Sequence, residues 1–152
     1  MSTRSTTDGT TKIGVRLKIS ALWIAMLFLF AYGDIFGMFQ PGRIDEIRAG
    51  TVGGMRISQT FLLAVSVYIA IASVMVFLTL TLPPRANRRT NIVLAVLYIV
   101  SIVASVIVSI VASVVGEKWV YFWFLSVVEC ALLLLVVWNA WRWPTRADAT
   151  VT

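Results

Sequence analysis

Two carboxylates stand among apolar neighbours. Asp34 lies in YGDIFG near the end of the first long apolar run, and Glu129 lies in SVVECALL near the middle of the last. A charged side chain at the centre of a bilayer costs about 2.5–3.5 kcal/mol on insertion scales. Such a group faces a bundle interior, pairs with a partner, or stays protonated. Two chemistries follow. As a site, Glu129, with or without Asp34, would take a proton, a cation or a cationic substrate. As structure, a protonated Glu129 would donate a hydrogen bond that ties its helix to a neighbour. Tyr68, Tyr98 and a serine ridge are its candidate hydrogen-bond partners in either case. Asp34 sits shallower, where desolvation costs less, so a helix-end cap or an ion pair with Arg56 outweighs a functional role there.

Little else in the chain can do chemistry. The 152 residues contain no histidine and one cysteine. Histidine-based triads, histidine haem ligation and most zinc sites are thereby excluded. Cys130 has no intrachain partner and lies in an apolar run, where a free cysteine packs as a small hydrophobe. No phosphate-binding glycine loop follows a strand pattern. An enzyme would need a carboxylate pair, and Asp34 and Glu129 differ in depth by about 7–10 Å at 1.5 Å per residue. The sequence therefore predicts a non-enzymatic protein with no catalytic residue, no cofactor and no bound metal.

The elements that position the two acids follow from composition. Hydrophobic residues make up 59% of the chain and charged residues 13%, and mean hydropathy is +0.90. A soluble domain is about 45–50% apolar and about 25% charged, and a globule this small cannot hide the excess. Lipid is the solvent. Four runs, Leu17 to Phe39, Ile57 to Leu82, Ile92 to Val115 and Val120 to Trp141, each reach the roughly 20 residues needed to cross the hydrocarbon. Helices are required there, because open strands would leave backbone groups unpaired in lipid. The expected fold is all-α: a four-transmembrane-helix bundle with antiparallel up-down neighbours. Residues 1–14 read as a disordered polar tail, 15–144 as a single membrane domain, and 145–152 as a short tail.

Charge sets the expected orientation. Arg4, Lys12, Arg16, Lys18, Arg85, Arg88, Arg89, Arg142 and Arg146 fall on one side, and Arg43, Arg48, Arg56 and Lys118 on the other. The positive-inside rule then places both termini in the cytoplasm. Trp119 and Trp123 would mark the outer end of the last helix, and Trp138, Trp141 and Trp143 its inner end. The net charge of +6 reflects this topology, with no basic face for nucleic acid. In the first external connection, Pro41 can open and Gly50 can close a short interfacial helix, with an ordinary solvated loop as the competing reading.

Helix association in lipid needs close packing and hydrogen bonds. Ser101, Ser105, Ser109 and Ser113 recur every four residues, which favours a packing track over a polar conduit. Gly33 and Gly37 have GxxxG spacing and offer either a contact face or a loosened helix end. Arg85, Arg88 and Arg89, with Asn87 and Asn91, are placed to meet lipid headgroups, although a topology signal alone weighs more.

The stretches YGDIFGMFQPGRIDEIRAG, LPPRANRRTNI and WNAWRWP together resemble a family of small bacterial four-helix membrane proteins of unknown function. The likeness runs from about Leu17 to Pro144. Its most specific parts are Asp34-Ile35-Phe36-Gly37, Pro41-Gly42, Asn87-Arg88 with Asn91, Glu129 and Trp141. It implies a bacterial inner-membrane location and a helical bundle. The expected function is that of an accessory or structural membrane component, alone as a homo-oligomer or with a membrane partner protein. A small transporter or channel subunit using Glu129 is the alternative.

Overall fold

The computed structural model describes residues 13–112 and 120–143. Four long helices dominate it: α1 (Val15–Met38), α3 (Gln59–Thr81), α4 (Pro84–Ala112) and α5 (Val120–Trp141). Each is long and apolar enough to cross a membrane. The short helix α2 (Arg43–Arg48) and a two-stranded hairpin, β1 (Thr51–Val52) and β2 (Met55–Arg56), join α1 to α3.

Local chemistry explains the boundaries. The α2 helix follows Gly42 and ends before Gly50, both in the left-handed region, as a helix-stopping glycine would be. The hairpin was not foreseen in the sequence. Its turn is Gly53-Gly54, with φ of 55° and 77°, and two positive φ values in a two-residue loop match the twist of the flanking strands. The Ser58 hydroxyl caps α3 by accepting from the Phe61 N–H at 3.1 Å. At the other end of α3, Leu82 is extended because a following proline disfavours helical backbone.

Pro84 then opens α4, so PRANRR forms the first turns of a helix where the sequence suggested a loop. Proline suits that position, since its missing N–H would have no helical partner there. At 1.5 Å per residue the 29 residues of α4 span about 43 Å, more than the hydrocarbon needs, so its basic start can project beyond the apolar zone.

The helices pack as a ring. The α1 helix lies against α3 on one side and α5 on the other, α5 packs against α4, and α3 meets α4 only loosely. The buried positions of α5, Ser126, Glu129, Leu133, Val136 and Ala140, step by three and four. That is the seam of two helices crossing at a shallow angle. On α4 the seam runs through Asn87, Asn91, Ala95, Tyr98 and Ile102. Trp23, Ile19 and Met26 of α1 fill the centre, with Met75 and Ala72 of α3 beside them. Cys130 is a free thiol, partly buried and packed against this core.

Candidate functional site

The core is sealed over the half of the bundle that carries the chain ends and open over the other half. A buried polar network closes the sealed half. The Trp23 indole donates to Asn91 Oδ1 at 2.7 Å, and the Thr79 hydroxyl donates to the same oxygen at 3.2 Å. Asn91 Nδ2 donates in turn to the Asn87 side-chain oxygen at 2.6 Å, and Asn87 Nδ2 donates to the Thr79 carbonyl. Asn87, Asn91 and Thr79 are fully buried. The network bonds α1, α3 and α4 into one unit, helped by the Ser20 hydroxyl on the Val76 carbonyl at 2.9 Å. Asn87 and Asn91 thus face inward, away from headgroups, whereas Arg85 and Arg89 on the same turns are exposed.

Above this network the aromatic rings of Phe30, Tyr68 and Tyr98 pack together, with Tyr68 and Tyr98 centroids 4.5 Å apart. Both hydroxyls are engaged. Tyr98 donates to the Tyr68 carbonyl, and the Tyr68 hydroxyl pairs with Ser101 Oγ at 2.7 Å. Neither tyrosine bonds Glu129, the role the sequence offered them. They form a floor instead.

On that floor rests a cavity of about 530 Å³, lined from all four long helices. Phe30, Gly33 and Asp34 come from α1, Phe61, Ala64, Val65, Tyr68 and Ile69 from α3, Ser101, Ile102 and Ser105 from α4, and Phe122, Leu125, Ser126 and Glu129 from α5. Asp34 and Glu129 therefore share one cavity, within electrostatic range of each other. Glu129 is only 7% exposed, while Asp34 is open to the cavity mouth. Among the described residues neither carboxylate has a hydrogen bond or an ion pair. The ion pairs found there are Arg43–Glu46 and Arg48–Asp45, both on α2, so Asp34 is not paired with Arg56. Among the described residues no Lys or Arg lines the cavity.

The small residues divide between two jobs. Gly33 faces Leu125 and Gly37 faces Tyr121, each with 3.7 Å between an added Cβ and the neighbouring side chain, so the GxxxG face lies against α5. Ser101 and Ser105 line the cavity, with Ser105 exposed and bonded back to the Ile102 carbonyl at 2.7 Å. Ser109 is partly buried, and Ser113 lies outside the described residues, as does Trp119. Among the described residues the Trp123 indole N–H is shielded without a partner.

Sequence reasoning missed Trp23, Thr79 and the inward turn of Asn87 and Asn91. A signal was present: two asparagines four residues apart at the start of an apolar run share a helix face, and amides there need partners.

Comparison with known proteins adds the lineage. A model of a family of unknown function, DUF6326, matches residues 13–150. The chain belongs to that family. No curated protein and no solved structure matches it. Within the DUF6326 match lie all four spans, both cavity acids and the asparagine network.

Proposed function

We propose that this DUF6326 protein is a non-enzymatic, multi-pass protein of the bacterial inner membrane that binds a small organic cation in its intramembrane cavity, as a small transporter or a transporter subunit. The observation that carries this reading is the shared placement of Asp34 and Glu129 in a cavity with no basic residue among its described lining. A buried carboxylate without a protein partner is neutralised by a proton or by a cation from outside. The walls favour an organic cation. Phe30, Phe61, Tyr68 and Phe122 supply aromatic faces, which attract a cation through their quadrupoles. A hard divalent ion would want about six oxygen ligands instead. The volume falls in the range of small-molecule sites, about 300–1,000 Å³. With the basic ends in the cytoplasm, the cavity opens toward the outer face.

An accessory or structural role predicts a cavity whose acids bind nothing. Tetraphenylphosphonium binding to the purified full-length chain in detergent separates the two. The expected result is saturable binding that weakens at least about tenfold in E129Q, a loss of roughly 1.4 kcal/mol, while Tm and elution volume stay at wild-type values. Absent saturable binding, or an affinity unchanged in E129Q, overturns the transporter reading in favour of the accessory one.

A further inference from the structure

The end of the bundle where α1 begins and α5 ends holds a second feature, independent of the cavity. Three arginines from three elements lie on three tryptophan rings. Arg16 of α1 is 5.5 Å from the Trp143 ring centroid, Arg88 of α4 is 5.6 Å from Trp141, and Arg142 is 4.7 Å from Trp138. Arg16 also donates to the Leu80 carbonyl at 2.9 Å, which draws α3 into the same end. The described residues here include the cations Arg16, Lys18, Arg85, Arg88, Arg89 and Arg142 but no acid. The described acids, Asp34, Asp45, Glu46 and Glu129, all belong to the opposite half or the cavity. No ion pair among the described residues satisfies these arginines.

A guanidinium held over an indole by cation–π attraction keeps N–H donors available for a planar or tetrahedral oxyanion. The tryptophans themselves remain open: Trp138 is 57% and Trp141 65% exposed. An apolar flank beneath a cationic crown fits an amphiphile whose head is anionic. A soluble acidic protein would satisfy the arginines and leave the indoles uncovered.

We propose that this patch is a binding surface for an anionic phospholipid. The guanidinium edges of Arg88 and Arg142, supported by Arg16, hold the phosphate, and the glycerol and upper acyl carbons lie against Trp138 and Trp141. The stacked arginines are distinct from Arg85 and Arg89, which project from the first turns of α4 with no ring beneath them among the described contacts.

The contrast supplies the test. Full-length protein is purified from vesicles of equal phosphatidylglycerol and phosphatidylcholine, and the retained lipids are counted by native mass spectrometry. Wild type is expected to retain phosphatidylglycerol over phosphatidylcholine by at least about thirtyfold, as two or three surface cations predict. R88Q/R142Q and R85Q/R89Q remove the same charge, yet only the first is expected to abolish the preference. Equal losses in the two variants would mean diffuse surface charge and overturn the site, as would equal retention of both lipids by wild type. Displacement of the lipid by millimolar inorganic phosphate would overturn the lipid in favour of a soluble anion. Unchanged Tm in both variants certifies that folding is intact, and R43Q/R48Q at the opposite end serves as the charge-matched control.

Discussion

At the scale of single residues, Asn91 is the side chain on which most depends. Its amide oxygen accepts from Trp23 and Thr79 while its nitrogen donates to Asn87, so three helices share one group. Removing it strands buried donors. N91A is therefore expected to lower stability by about 1–3 kcal/mol, since each orphaned buried group costs that order. N91D retains the acceptor but introduces a charge, and should be worse than N91A. Unfolding monitored by tryptophan fluorescence in mixed detergent checks the order. Glu129 behaves in the opposite way: it bonds nothing among the described residues, so E129Q should leave stability close to wild type. Stability that depends on Glu129 and not on Asn91 would invert this assignment.

At the scale of elements, the approach of α1 to α5 is set by two glycines. The space at Gly33 ends 3.7 Å from Leu125 and that at Gly37 ends 3.7 Å from the Tyr121 hydroxyl, ordinary contact distances that admit a methyl group and nothing larger. G33A is expected to be tolerated, whereas G33L must push α5 away and distort the wall that presents Glu129. The measurable outcome is a fall in Tm for G33L of several degrees with G33A near wild type. Disulfide trapping between the same helices would fail in G33L alone. The connection between α1 and α3 obeys local rules more strictly. Its hairpin requires positive φ at Gly53 and Gly54, which residues with a Cβ adopt at a cost.

At the scale of the molecule, the bundle is a closed half joined to an open half. The closed half is held by amides, hydroxyls and one indole, and the open half by the cavity with two acids. Under the proposed binding, a proton and an organic cation compete for those acids, so cation affinity should fall as pH is lowered and recover as it rises. Among the described residues the ionisable groups facing the cavity are Asp34, Glu129 and Tyr68. E129Q should flatten the pH profile of tetraphenylphosphonium binding. A profile as steep in E129Q as in wild type would assign the competition to Asp34, which D34N then tests.

How much of this was legible before folding depends on which solvent each residue meets. Length and hydropathy indicated four crossings, and the spacing of Pro41 and Gly50 made the short helix α2 one of two open readings beside a solvated loop, because both rest on backbone chemistry that acts within a few residues. The importance of Asp34 and Glu129 was also readable, since a carboxylate in an apolar run is costly wherever it ends up. Their meeting in one cavity was not. In water, apolar stripes reveal the buried face of a helix. In lipid every face is apolar, so Leu133 inside and Leu134 outside look alike in the sequence. Only packing could decide that Asn87 and Asn91 turn inward while Arg85 and Arg89 turn out, that Tyr68 and Tyr98 spend their hydroxyls on the floor, and that α3 and α4 part enough to leave room beside Glu129. Chain-local forces determined the crossings, and contacts between distant segments determined the site, because lipid removes the polarity contrast that would have written those contacts into the residues.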